Sequence, residues 1–166
     1  GSTNTPRRTA EEVHFWDEWA DKDGNLGPVY GAQLRNLHTS RTEDPQPVDQ
    51  LATVLQQIMR NPDSRRIIIT LWNPQELSQM RLPPCHGVVM QFYVRGRTLD
   101  LYTYQRSADS FLGLPMNIAS YSLLLSLIAK VTDMRPGTLT YQLGDAHIYL
   151  NHLEQVDKQL SREPYP

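Results

Sequence analysis

The sequence predicts a mixed α/β (α+β) fold, in which a mixed β-sheet packs with helices around one long, buried central helix. Three observations carry this expectation. Residues 117–133, NIASYSLLLSLIAKVTD, are apolar almost all round, as suits a helix enclosed on every side. Residues 65–73, RRIIITLWN, form a β-branched run that reads as a buried strand. In VVMQFYVRGRTLDLYTYQ, two strand-like runs flank Arg95-Gly96-Arg97, which reads as an antiparallel hairpin. Strands and helices mix without a strict βαβ alternation, which points to layered α/β or α+β packing.

The other elements follow in order. The opening GSTNTPRRTA is polar, and EEVHFWDEWA then places Val13, Trp16 and Ala20 at helical spacing, which predicts a short helix. DKDGNLGPVYG is a turn-rich loop, and LHTSRTEDPQP an exposed connection. Val48, Leu51, Val54, Leu55, Ile58 and Met59 mark an amphipathic helix, with Pro47 near its start and Asn61-Pro62-Asp63 ending it. In the hairpin, Leu99, Leu101 and Thr103 should face one way and Asp100, Tyr102 and Tyr104 the other. Pro136-Gly137 should turn the chain into the strand TLTYQL, and NHLEQVDKQLSR should form a last amphipathic helix.

At 166 residues, 39% hydrophobic and 20% charged, the chain suits a single domain, 1–166, with a proper core. A formal charge of −2 argues against the broad basic face of a general nucleic-acid binder, so no nucleic acid is expected as partner. A small anion needs only a local arginine cluster. The one cysteine forms no intrachain disulfide, which suggests a reducing compartment and a cytoplasmic location. No apolar run approaches the ~18 residues of a membrane span, and the start lacks a signal-peptide pattern, so no membrane partner is expected.

Several residues do not read as packing. Cys85 sits in MRLPPCHGVV, held by Pro83 and Pro84 and followed by His86. Most free cysteines are small buried apolar residues, and the alternative here is a nucleophile on a stiffened backbone. QRSADSFLGLPMN crowds Gln105, Arg106, Ser107, Asp109 and Asn117 between a strand and a helix. A polar loop with Asn117 as helix N-cap explains Asn117 or Asp109 singly, but leaves Gln105 and Arg106 unexplained. In GDAHIYLNH, His147 and Tyr149 alternate on one face, so both can address one ligand such as a sugar hydroxyl. Cys85, His147 and His152 make an incomplete zinc set at the wrong spacing, and no metal is expected. Arg65-Arg66 is either a solvated pair or a phosphate clamp, and Trp16 with Trp19 either core or a flat wall for a planar ring. A thiol, arginines, amides, a His/Tyr pair and stacking aromatics together describe a nucleotide-modifying site.

WDEWAD, GPVYG, NPDSRRIII, LPPCH, QRSADSFLGLPMNIASYSLLL and GDAHIYLNHLEQ occur in an order that resembles folate-dependent, cysteine-nucleophile thymidylate synthase through nearly the whole chain. The resemblance implies a thymidylate synthase-type fold, the chain being the central part of the catalytic domain. It implies methylation of dUMP to dTMP, with 5,10-methylenetetrahydrofolate as one-carbon donor and reductant and no metal. Cys85 looks like the nucleophile that adds to C6 of the pyrimidine, making C5 carbanion-like for attack on the one-carbon unit. A free thiol, with pKa ~8.5, is mostly protonated at neutral pH, so nearby cations should favour the thiolate. By resemblance Arg106 binds the phosphate with Ser107, and Arg65 and Arg66 reach into the partner subunit's phosphate site, which implies a homodimer. Gln105 and His86 look like polar groups that hold ordered water and orient the ring. Asn117 resembles the amide that reads O4 and N3 of uracil. His147 and Tyr149 resemble ligands of the 3′-hydroxyl, and Tyr30 a member of the proton-transfer network. Asp109 is similar to the carboxylate that contacts the pterin, walled by Trp16, Trp19, Leu112 and Gly113.

The chain departs from the family pattern at Met116, where phenylalanine is usual, and at Leu34, where tryptophan is common. A reshaped pocket that let water quench the methylene intermediate would make 5-hydroxymethyl-dUMP, the alternative product. Retention of Trp16 favours the methyl product, because a bulky indole helps exclude water. Family members also carry an upstream arginine and glutamate and a downstream tail that closes over the folate. These 166 residues hold none of them, so a chain of this extent is expected to be a fragment, weakly active or inactive. The alternative from another class is a non-catalytic nucleotide-binding homologue.

Overall fold

A computed structural model of the chain describes residues 16–38 and 46–164. Its frame is a four-stranded mixed sheet in the order β1 (Ile68–Thr70), β2 (Val89–Arg95), β3 (Thr98–Asp109) and β4 (Arg135–His147). The first two pairings are antiparallel, and β2 and β3 form the expected hairpin through Gly96, with Arg95 opposite Thr98. β3 and β4 are parallel, which requires a crossover, and α3 (Gly113–Val131) supplies it.

Alternation along the strands sorts the two faces of the sheet. Met90, Phe92 and Val94 of β2 and Leu99, Leu101 and Thr103 of β3 are buried. They pack with Ile67, Ile69 and Leu71, with Val54 and Ile58 of α2 (Gln50–Arg60), and with Tyr121, Leu125, Ile128 and Ala129 of α3. Each fully buried side chain of this size contributes roughly 2–3 kcal/mol. The other face carries Ile68, Val89, Tyr93 and Tyr102, all more than two-fifths exposed. Asp100 lies on that side as expected, yet is only 2% exposed. Its carboxylate takes Arg95 Nε at 2.6 Å and Nη2 at 3.1 Å, and accepts from Thr138 N at 2.8 Å. Those partners hold its pKa below the usual carboxylate value, the Arg95 hydrogen bond being the main cause.

α2 begins two residues after Val48, with Asp49 as N-cap accepting from Ala52 N at 2.9 Å. Inside it, Gln50 acts as a substitute strand for the edge of β1. Its Oε1 accepts from Thr70 N at 3.0 Å, and its Nε2 donates to Thr70 O and Gln33 O, both at 2.7 Å. One buried amide thus satisfies the Thr70 backbone, on the side where no strand among the described residues pairs with β1.

Several expectations are corrected. α3 is not enclosed all round. Only the Tyr121, Leu125, Ile128 and Ala129 side is buried, while Leu123, Leu127 and Val131 are exposed. The helix packs on β3 and β4 from one side, and an apolar sequence does not specify how many sides are covered. At 19 residues α3 is also long and apolar enough to span a membrane, against the expectation that no run reaches that length. Its packing against the sheet makes it a layer of the domain. The run at 65–73 is a strand only over Ile68–Thr70, with flanking backbone bonds at Ile67 and Leu71, and Ile68 is 43% exposed, so it is half-buried. Pro136-Gly137 lies inside β4, Pro136 opposite Leu99, at an irregularity in the pairing. Trp16 to Ala20 form a turn, with Trp19 N and Ala20 N both 3.2 Å from Trp16 O, and the rest of that expected helix, Val13 included, lies outside the described residues. The last amphipathic helix is present as α4 (Leu153–Leu160).

Candidate active site

The site grows from the irregular segment between the short 3-10 helix Leu77–Gln79 and β2. This segment is fixed at its start by Arg81 N, which donates to Leu26 O at 3.0 Å, beside a small core of Leu26, Val29 and Met80. Trp16 and Tyr30 pack on that core, and Tyr30 opens α1 (Tyr30–Arg35). Its hydroxyl accepts from Cys85 N at 3.0 Å and lies 3.4 Å from Cys85 Sγ. Burial, then the hydrogen bond with Cys85, raises the phenol pKa well above its ordinary value, so Tyr30 stays protonated at neutral pH.

Arg106 holds the thiol turn from the sheet side. Its backbone N donates to Cys85 O at 2.9 Å, its Nε to Pro84 O at 2.9 Å, and its Nη2 to Pro83 O at 3.2 Å. The guanidinium carbon lies 5.4 Å from the centre of the Trp72 ring, within cation–π range. A rigid fork holds two donors in one plane for successive carbonyls, a fixed geometry that a lysine ammonium lacks. No carboxylate among the described residues pairs with Arg106, so its charge is not neutralised within the site.

His86 stacks on Tyr30, with ring centres 4.5 Å apart and planes 18° off parallel, and its Nδ1 is 2.8 Å from Tyr121 OH. Burial lowers its pKa from 6.5 to about 4, so the imidazole is neutral at physiological pH. The unfolded chain therefore binds a proton between pH 6.5 and about 4 that the folded chain does not. Stability contributed by the neutral ring is full above pH 6.5 and falls by about 3 kcal/mol as pH drops towards 4. Urea unfolding across that window should show this loss, and His86→Gln should flatten it. An equally steep slope in the variant would assign the acid sensitivity elsewhere.

The amides are ordered by one backbone carbonyl. Gln105, 1% exposed, donates from Nε2 to Ser107 O at 2.9 Å and to Asn117 Oδ1 at 3.1 Å. Because Ser107 O only accepts, the Gln105 amide can point just one way, and Asn117 must present its oxygen to it. Asn117 is the fifth residue of α3, so the N-cap reading of it is wrong; the helix starts earlier, at Gly113. Asp109 orders that start instead, its Oδ1 accepting from Phe111 N at 3.1 Å and Leu112 N at 3.3 Å. Leu112 is exposed beside it.

Parallel pairing of β3 with β4 brings Ser107 opposite Asp145 and Asp109 opposite His147. His147 meets Tyr149 edge to face, ring centres 5.1 Å apart, so the two share a surface as expected. Trp19 is exposed at the opening turn, while Arg65 and Arg66 are exposed ahead of β1. Neither guanidinium bonds to a residue of this site among the described residues. Sequence reasoning missed Trp72, read as part of a strand, and Tyr121, hidden in an apolar helix. A hydroxyl within a Leu/Ile-rich run was the one available signal. No group of residues suited to a metal occurs among the described residues.

A mixed sheet packed with helices carries a cysteine–histidine turn, braced by Arg106 and flanked by ordered amides. The family model for thymidylate synthase matches residues 1–166, and the chain belongs to the thymidylate synthase family. Membership supports a dUMP methyltransferase-type function, and the family uses methylenetetrahydrofolate.

Proposed function

We propose that the protein converts dUMP to dTMP with 5,10-methylenetetrahydrofolate as one-carbon donor and reductant, through a covalent bond from Cys85 Sγ to C6 of the uracil. The observation that carries this reading is the double grip of Arg106 on Pro83, Pro84 and Cys85, which makes the nucleophile and an unneutralised cation one rigid unit. Such a unit positions a phosphate and a ring carbon together. Asn117, with its oxygen turned towards Gln105, keeps a second lone pair for N3–H and its Nδ2–H for O4, the pattern of uracil. Gln105 Oε1 is buried without a protein partner among the described residues, so it is available to a donor on a ligand or a bound water. His147 and Tyr149 address the sugar. The pterin is assigned to Asp109, a carboxylate beside the exposed Leu112 and Gly113, and to Trp16 and Trp19 of the opening turn. Met116 is 72% exposed, which gives no support to a reshaped pocket, and the methyl product is the reading kept.

The exposed sheet face supports a homodimer. Ile68, Gln91, Tyr102 and Thr140 form one row across it, and Val89, Tyr104 and Gln142 the next. A face of this apolar content suits a second copy, which would also bring the partner's Arg65 and Arg66 towards the phosphate. The single cysteine supports a reducing, cytoplasmic setting, and the chain reads as one catalytic domain.

Intact-mass analysis after incubation with 5-fluoro-dUMP and methylenetetrahydrofolate tests the reading. Fluorine at C5 blocks the proton loss that releases the enzyme, so the ternary adduct should persist on Cys85 and be absent in Cys85→Ser. Nucleotide binding without an adduct would leave a binding module. No nucleotide affinity at all would overturn the proposal.

A further inference from the structure

The turn bearing the thiol continues into Gly87, and a side chain is excluded there. Gly87 is buried with φ +62°, and a Cβ on it would meet Tyr121 OH at 2.0 Å and Tyr121 Cζ at 3.0 Å. The phenol of α3 therefore lies directly over bare backbone, and from there it reaches His86 Nδ1 at 2.8 Å. The two rings meet nearly edge to face, at 77°, while the imidazole stacks on Tyr30, whose hydroxyl touches the thiol.

From this arrangement we propose that Tyr121 is a positioning residue that locks His86 in the tautomer carrying its proton on Nε2. The argument is one of donors and acceptors. His86 is the one hydrogen-bond partner of the Tyr121 hydroxyl among the described residues, so a phenol that accepted from Nδ1–H would leave its own proton buried and unused. When the phenol donates, Nδ1 accepts and the proton sits on Nε2. The free edge of the imidazole is then a donor only, suited to a carbonyl oxygen of a ligand or to its bound water. Contact with Tyr30 fixes the ring plane, and the Tyr121 bond fixes its rotation within that plane. Use of this donor in turnover rests on the reading of the site as a pyrimidine nucleotide site; the lock itself does not.

The test uses the whole chain, uniformly 15N-labelled and free of nucleotide, with the His86 ring signals assigned by their loss in His86→Gln. The expected wild-type spectrum shows one pyridine-like nitrogen, Nδ1, and one pyrrole-like nitrogen, Nε2. In Tyr121→Phe the two shifts should move towards each other as the tautomers mix. An unchanged separation in Tyr121→Phe, or a wild-type proton on Nδ1, would overturn the lock. A second measurement does not depend on the spectrum. Gly87→Ala should lower the urea midpoint more in the wild-type background than in Tyr121→Phe, where the hydroxyl it would strike is gone. Equal losses in the two backgrounds would refute the close approach. A protein that keeps a single tautomer but has no affinity for 5-fluoro-dUMP would sink the nucleotide reading and leave the lock standing.

Discussion

Arg106→Ala should weaken dUMP binding by at least about 100-fold. The magnitude follows from losing charge-assisted hydrogen bonds to a phosphate, about 3 kcal/mol together. A second loss is added here because the guanidinium also grips Pro83 O and Pro84 O, and its removal frees the turn that presents Cys85. Arg106→Lys separates the two effects. It keeps the positive charge but cannot reach two successive carbonyls in one plane, so it should recover less than tenfold of the affinity. Calorimetric titration with dUMP measures both variants. If Arg106→Ala bound dUMP within about threefold of the wild type, Arg106 would not be the phosphate anchor and its role would be confined to bracing the turn.

The second large effect is on stability. Gly27 has φ +78°, and a Cβ there would lie 2.0 Å from Gln79 O and 3.1 Å from Gln79 C. Both are backbone atoms, so no side chain can swing aside. The loop before Tyr30 would have to part from the segment leading to Cys85, opening the Leu26, Val29 and Met80 core and the Arg81–Leu26 bond. Gly27→Ala should therefore cost about 3 kcal/mol, the scale of a strained backbone with a steric clash. Gly24→Ala is the control. It has a similar φ of +81° but nothing within 4 Å of the added Cβ, so it should cost only about 1 kcal/mol of conformational strain. Denaturant midpoints compare the two. Equal losses would mean that backbone contact at Gln79 contributes nothing.

These two residues show where the site is built. Arg106 comes from β3 and Gly27 from an irregular loop, and both act on the one short segment that carries the thiol. The acid sensitivity expected of His86 and the tautomer lock proposed for it belong to the same segment. Tyr30, stacked on His86, and Tyr121, edge-on to it, form a row of rings from α1 to α3 across it. Disturbance of either helix should therefore reach Cys85.

Many residues of the candidate site were legible from residue type and order alone. Cys85 between two prolines and a histidine, the Gln105–Arg106–Ser107 crowd, and the alternation of His147 with Tyr149 are local patterns. The hairpin through Gly96 and the facing of Leu99, Leu101 and Thr103 follow likewise from period two. Covering is not local. Apolar residues all round α3 announced a helix but not that one side alone would pack, and the β-branched run at 65–73 announced a strand but not that it would be as short as Ile68–Thr70. Asp100 was placed on the correct side by alternation, yet its burial depends on Arg95 and on Thr138 from a parallel strand. The bond from Tyr30 to Cys85 spans 55 positions, and that from Tyr121 to His86 spans 35. Side-chain periodicity is set by neighbouring backbone geometry, so sequence determined the elements and the reactive residue types. Contacts between distant segments depend on how those elements stack, so the tertiary structure alone decided which hydroxyl meets the thiol and which face stays open.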